Sequence, residues 1–216
     1  MNPFPIILSA PSGGGKTSIA RELLKRRPHD LGYSVSCTTR MPRKNEREGV
    51  DYYFLKRSEF VRERELGKFA ESAEVHGNLY GTLKSEVERV FASGKHVVMD
   101  IDVQGASQLI RAFPQAVTIF VLPPSGDVLL ERLRKRKTES ATELAARLMS
   151  ALQELQAVDE YEYVIVNDDL EQAVQRVSSI IDAEVVSRER VADLRQQVAF
   201  LIERLEKEIQ NSSSKE

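Results

Sequence analysis

The chain has 216 residues, a formal net charge of -2 and 30% charged residues, enough to bury a sizeable core and without the basic excess of a protein that coats nucleic acid. A single cysteine, Cys37, excludes an intrachain disulfide and a cysteine-built zinc cluster and fits a reducing compartment. No apolar run approaches the ~18 residues of a membrane span, and Met1-Asn2-Pro3-Phe4-Pro5 lacks the charged head and long apolar stretch of a secretory signal, so the expectation is a soluble cytoplasmic protein.

In chain order, Ile6-Ile7-Leu8 reads as a buried strand that feeds Ala10-Pro11-Ser12-Gly13-Gly14-Gly15-Lys16-Thr17. Ile19, Leu23 and Leu24, separated by charged residues, then predict a helix that stops before Pro28. A strand, a glycine-rich turn and Lys-Thr at a helix start form a phosphate cradle. Backbone N–H groups and the helix dipole meet the phosphate oxygens, Lys16 reaches the terminal phosphates, and the Thr17 hydroxyl coordinates Mg²⁺. Every fixed position of GxxxxGK[ST] is matched except the first, which is Ala10. The alternative is a glycine-rich surface turn, which the flanking strand and helix patterns disfavour.

From Ser36 to Ser93 the βαβ rhythm is interrupted, as an inserted subdomain would interrupt it. Asp51 to Leu55 and Phe69 to Val75 read as strands, Ser58 as the cap of a short helix through Leu66, and Gly77-Asn78-Leu79-Tyr80-Gly81-Thr82 as a turn leading into a helix that runs to about Ser93. The rhythm returns with the strand His96 to Asp100, a helix from Val103 to Ala112 and a buried strand from Val117 to Leu122, ended by Pro123-Pro124. Helices follow over Gly126 to about Arg136 and Thr142 to about Glu160. Tyr163 to Val166 closes the sheet, and Asp168-Asp169 open another helix. Val191, Leu194, Val198, Leu201 and Leu205 recur at spacings of three and four, a stripe suited equally to packing on its own domain and to self-association. Ser212 to Glu216 reads as a disordered tail.

Several residues carry candidate chemistry. Asp100 and Asp102 follow an apolar strand, where acids either orient Mg²⁺ and its waters or cap the next helix. Arg40, Arg43, Tyr52 and Tyr80 suit phosphate recognition if they converge; singly they are surface charges and core phenols. The run Arg132 to Lys137 fits a solvated helix face, a nucleic-acid patch or a mobile lid. His29, His76 and His96 are scattered and form no ligand set. Cys37 reads as a packing residue, with a redox-sensitive thiol as the alternative.

The segments Ser9 to Thr17, Ser34 to Arg43, Gly77 to Thr82, Asp100-Ile101-Asp102-Val103-Gln104-Gly105 and Val164 to Asp169 resemble, in order, the successive signatures of the guanylate kinase family. The resemblance covers the chain to about residue 185. It implies an α/β fold in which a parallel-sheet P-loop NTPase core carries an inserted mixed α/β GMP-binding subdomain and a helical lid. The implied boundaries are core 1–35, GMP-binding subdomain 36–94, core 95–125, lid 126–157, core 158–190, and C-terminal helix and tail 191–216. The implied reaction is transfer of the γ-phosphoryl group of Mg·ATP to GMP, and to dGMP, giving ADP and GDP.

By the same resemblance, Ala10 to Thr17 bind ATP, and Ser36, Glu71, Thr82 and Asp102 contact guanine. Arg40, Arg43, Tyr52 and Tyr80 hold the GMP phosphate. Lys16, Arg136 and Arg147 stabilise the transferring group, with Thr17 and, through water, Asp100 on Mg²⁺. The implied partners are ATP and GMP, with neither nucleic acid nor membrane, and a homo-oligomer through the C-terminal helix is a further expectation. Ala10 is a substitution that bacterial members tolerate. Lys135 and Lys137 stand where the lid often has glycines, and Leu79 replaces a frequent tyrosine. A guanylate-kinase-like interaction module would typically have lost parts of the loop that Lys16 and Thr17 retain. A kinase of phosphorylated sugars would not need the guanine-directed set.

Overall fold

The computed structural model describes residues 2–75, 77–134 and 141–213. Two compact units divide the chain, Pro3–Ser179 and a second built from Ile180 onward. In the first unit the chain order is β1 (Pro5–Ser9), α1 (Lys16–Arg26), β2 (Leu31–Tyr33), β3 (Cys37–Thr38), β4 (Tyr53–Phe54), α2 (Arg57–Glu65), β5 (Phe69–Val75), β6 (Asn78–Leu83), α3 (Lys84–Ala92) and β7 (His96–Asp100). It continues with α4 (Val103–Ala112), β8 (Val117–Leu122), α5 (Gly126–Arg134), α6 (Ala141–Gln156), a short 3₁₀ turn at Ala157–Glu160, β9 (Tyr163–Val166) and the start of α7 (Leu170–Val185).

Five strands form a parallel sheet in the order β2-β7-β1-β8-β9. All five residues of β1 are buried, as are the first four of β7 and the first five of β8. Continuous apolar strands are what a sheet covered on both faces requires. Ile7, Val97, Met99, Ala106, Leu109 and Phe120 share one core cluster beneath α3 and α4. Truncating a fully buried Ile or Leu here to Ala costs about 2–5 kcal/mol. Because β1 is central and Leu8 lies opposite Asp100, the segments leaving β1 and β7 emerge side by side at the carboxyl edge, where open α/β sheets bind ligands.

The second sheet has the order β4-β3-β6-β5, with β3 parallel to β4 and antiparallel to β6. Its own small core joins Cys37, Phe60, Phe69 and Leu79, with Phe60 and Phe69 stacked at a centroid distance of 4.4 Å. Here the sequence expectation needs correction. Asn78 to Leu83 is strand β6, not a turn and cap, and it pairs with β5 from Val75↔Asn78 to Phe69↔Leu83. The Gly81 that reads as turn punctuation lies within the strand, opposite Ser72 on one side and Cys37 on the other. Cys37 is fully buried, and burial pushes its thiol up to about 12, so the redox-sensitive alternative gives way to the packing role. His96 is likewise structural: its Nδ1 accepts from the Phe4 N–H at 3.2 Å.

In the second unit, α8 spans Leu194–Ser213. It starts after Asp193, whose φ of 56° breaks the chain direction, so Val191 stands outside the helix and Ser212-Ser213 inside it. Val198, Leu201 and Leu205 of the stripe are exposed, together with Phe200, Ile202 and Ile209.

Candidate active site

The phosphate loop is built from backbone. Gly14 N–H donates to the Pro11 carbonyl at 2.7 Å, which curls the loop, and Gly15 occupies the cap of α1 at φ 98°. A side chain at position 15 would be strained by that φ, and its Cβ would come within 2.2 Å of Asn167 Nδ2. Asn167, just beyond β9, donates that Nδ2 to the Gly14 carbonyl at 2.9 Å and so braces the loop. Lys16 and Thr17 are the first two residues of α1, where free N–H groups and the helix dipole favour anions.

Thr17 Oγ1 donates to Asp100 Oδ2 at 2.5 Å, and Tyr33 OH donates to Asp100 Oδ1 at 2.5 Å. A hydroxyl beside a carboxylate is an all-oxygen donor set. Mg²⁺ suits such a set, being held by one or two protein oxygens with substrate phosphates and water completing the shell. The residues present therefore fit the ion.

Two contacts at this loop come from residues that the sequence did not single out individually. Glu154 on α6 accepts from the Ser12 N–H at 2.8 Å. Arg132 on α5 lies against the loop, with Nη1 3.5 Å from the Gly13 carbonyl and Nη2 3.5 Å from the Asn167 carbonyl. Of the three readings of the basic run, the lid is the one this placement favours for Arg132. Residues 135–140, including Arg136, Lys135 and Lys137, lie outside the described residues, as does His76. Arg147 is buried, and its Nη1 donates to the Leu133 carbonyl at 2.8 Å, where it ties α6 to the last turn of α5.

The guanine-directed residues converge. Thr82 Oγ1 donates to Glu71 Oε1 at 2.8 Å, and Ser36 Oγ lies 3.4 Å from Thr82 Oγ1. Glu71 is 3% exposed. Burial raises its carboxyl to about 7, the Asp102 charge adds to the rise, and the Thr82 hydrogen bond opposes it. Asp102 caps α4, accepting from Gly105 N–H at 2.9 Å, the capping alternative for this residue. At Gly105 a Cβ would sit 2.7 Å from Glu71 Oε2. The absence of a side chain there gives the carboxylate its room.

The second cluster is centred on an acid. Arg40 gives two hydrogen bonds of 2.9 Å to Glu46, and its Nε donates to Tyr80 OH at 3.3 Å. Its guanidinium lies 5.5 Å above the Tyr52 ring, which meets the Tyr80 ring edge-on at 6.0 Å. Arg43 N–H donates to Glu46 at 2.8 Å, with its guanidinium 3.8 Å away. Burial pushes the Glu46 carboxyl up, but the hydrogen bonds and charges of Arg40 and Arg43 together outweigh it, holding the group below the usual carboxylate range. Glu46 is a residue that sequence reasoning passed over. Its spacing of three from Arg43 and six from Arg40 was the available signal.

One open cleft of about 1140 Å³ joins the two regions, lined by Thr17, Tyr33 and Asp100 at one side and Arg43, Glu46 and Tyr52 at the other. Arg21 on α1 and Asp51 before β4 pair across it at 2.5 Å. Burial, with the Asp100 charge adding, pushes the Tyr52 phenol up to about 12, so it stays a neutral donor.

Comparison with known proteins gives a consistent answer. The guanylate kinase family profile matches residues 2–184. Guanylate kinase from Thermotoga maritima is 48% identical over 178 residues, covering 82% of this chain and 86% of that one. Guanylate kinase from Myxococcus xanthus is 47% identical, covering 86% and 89%. The crystal structure of guanylate kinase from Anaplasma phagocytophilum superposes with a TM-score of 0.74 at 37% identity, covering 90% of this chain and 92% of that one. With its parallel-sheet core, phosphate loop and convergent acidic and basic clusters, this chain belongs to the guanylate kinase family.

Proposed function

We propose that this chain phosphorylates GMP with ATP, giving ADP and GDP, and that the cleft from Thr17 and Asp100 to Arg43 and Tyr52 brings the two nucleotides together. The observation that carries the reading is this cleft, with Thr17 and Asp100, next to the phosphate loop, at one side and Arg43 and Tyr52 at the other. Loop N–H groups and Lys16 bind the ATP phosphates. Thr17 and Asp100 hold Mg²⁺, Asp100 through water; the bound ion supplies charge neutralisation on phosphate oxygens.

Arg43, Tyr52 and Tyr80 orient the GMP phosphate, with Arg40 held in place by Glu46. Glu71 and Asp102 accept from guanine N1–H and the 2-amino group, while the Ser36 or Thr82 hydroxyl donates to O6. Adenine lacks the 2-amino group and reverses the pattern at position 6, so AMP leaves a buried carboxylate unpaired. The acceptor phosphate oxygen is already anionic, so the reaction needs no strong general base. Positioning and charge neutralisation do the catalysis. Arg147, with Arg136, is assigned to the transferring phosphoryl group; for Arg147 this requires leaving the Leu133 carbonyl as the lid closes, which also excludes water.

The domain division assigns 36–94 to the GMP-binding insertion and 126–157 to the lid, which the separate second sheet and the helices α5 and α6 support. dGMP is accepted alongside GMP, since no assigned contact reaches the ribose. The working site is the cytoplasm, where both nucleotides occur, with no nucleic acid as partner. Self-association through α8 is supported by its exposed Val198, Leu201 and Leu205. Sedimentation of a chain ending near Val186 tests it, and an unchanged mass relative to the number of chains disposes of it.

The test of function is ADP formation from ATP and Mg²⁺ with GMP, dGMP, AMP, CMP, UMP or ribose bisphosphate. GMP-dependent turnover is expected. Its absence overturns the enzyme reading, and equal activity on AMP overturns the guanine assignment.

A further inference from the structure

Asp100 has two carboxylate oxygens, and each receives a different hydroxyl. Thr17 belongs to the phosphate loop helix, but Tyr33 comes from elsewhere: it is the last residue of β2, at the point where the chain leaves the core for the second sheet. Its backbone pairs with Val98, two residues before Asp100 on β7, so phenol and carboxylate project from the same face of neighbouring strands.

We propose that Tyr33 is a positioning residue for the metal site, fixing the Asp100 carboxylate in the orientation that lets it serve Mg²⁺. This rests on the assignment of Thr17 and Asp100 to the ion. Two observations support it. The Tyr33 hydroxyl donates to Oδ1 at 2.5 Å while Thr17 takes Oδ2 at the same distance, so both oxygens are pinned. Hydrogen bonds from a hydroxyl to a carboxylate are short and about twice as strong as neutral ones. The donor is itself held, because Arg89 Nη2 of α3 donates to the Tyr33 carbonyl at 3.1 Å and Ser34 N–H donates to the Val98 carbonyl at 3.2 Å.

A carboxylate oxygen carries two lone pairs, so Oδ1 can accept from Tyr33 and still meet an ion-bound water. Without the phenol, only the Thr17 contact restrains Asp100, and the added freedom of its terminal torsion must be lost again whenever the ion binds. Tyr33 thereby prepays the ordering of the site, and it does so from the strand that leads into the acceptor subdomain.

The experiment measures ADP binding to the full-length chain by calorimetry, in EDTA and in saturating Mg²⁺, for the wild type, Tyr33→Phe, Asp100→Asn and the double variant. The readout is the factor by which Mg²⁺ tightens ADP. Tyr33→Phe should cut that factor by about three- to tenfold, the range for one lost hydrogen bond, while leaving affinity in EDTA within about twofold. Asp100→Asn should remove most of the tightening, and adding Tyr33→Phe to it should change nothing further. A Tyr33→Phe protein with an unchanged factor, or with equal losses with and without Mg²⁺, overturns the positioning role, as does an effect that persists in the Asp100→Asn background. If Asp100→Asn itself leaves the tightening intact, the metal assignment fails, and with it the proposal.

Discussion

The two halves of the proposed site are built by opposite means. On the phosphate-loop side, Gly13 and Gly15 to Thr17 offer backbone N–H groups from one contiguous stretch, and Gly14, Gly15 and Asn167 shape the loop. On the acceptor side, the chemistry is all side chain: Ser36, Arg40, Arg43, Tyr52, Glu71, Tyr80 and Thr82 are drawn from separate segments and brought together by a small sheet. A backbone cradle serves any polyphosphate, whereas side chains from several strands read one base. Generality therefore resides in the loop and selectivity in the sheet, and substitutions on the two sides should fail differently.

The largest effect is expected on the donor side. Lys16→Ala removes a charge aimed at the transferring group and should lower kcat by about 10³-fold, as losing one preorganised stabiliser of the transition state does; steady-state turnover measures it. On the acceptor side, Glu71→Gln should weaken GMP by about 10- to 100-fold through a lost charge-assisted hydrogen bond, seen by titration without ATP.

The same variant should be more stable than the wild type at pH 8. Glu71 titrates at about 7 in the folded protein, above its unfolded value. Its contribution to stability is thus fully present below the unfolded pKa and is lost as pH rises through 7. A rise of that size amounts to a cost of up to about 3 kcal/mol at alkaline pH, which chemical denaturation at pH 5 and pH 8 resolves. Since guanine donors need the ionised form, the GMP dissociation constant of the wild type should rise by about tenfold from pH 8 to pH 6. A flat profile would mean that Glu71 is already ionised at pH 6. The smallest effect is Tyr80→Phe, which removes one neutral hydroxyl and should raise the GMP KM by about three- to tenfold with kcat little changed.

What the sequence revealed follows the same division. The donor site was legible because its parts are adjacent: the strand, Gly13-Gly14-Gly15 and Lys16-Thr17 form one signal with a physical meaning. Arg40, Arg43, Tyr52 and Tyr80 stood out by residue type alone, but their grouping, and any role for Ser36, Glu71 and Thr82, came only through the family resemblance, because nothing in their spacing shows that Arg40 reaches Tyr80 or that Glu71 meets Thr82. β6 was misread because Gly77 and Gly81 look like punctuation, while the antiparallel partner that makes Asn78 to Leu83 a strand lies earlier in the chain. Glu46, Glu154 and Tyr33 escaped notice for one reason. A lone acid in a charged run and a lone phenol beside a strand look like solvated or core residues until the partner across the fold is seen. Ion pairing thus sets the form of this cluster as much as its phenols do, with Glu46 holding Arg40.

The central claim is that the loop drives transfer and the small sheet holds GMP. GMP titration of the Lys16→Ala protein in the absence of ATP tests it most directly. The account predicts a dissociation constant within about threefold of the wild type, less than one typical hydrogen bond's worth, despite the loss of turnover; a loss of GMP affinity comparable to that of Glu71→Gln would contradict it.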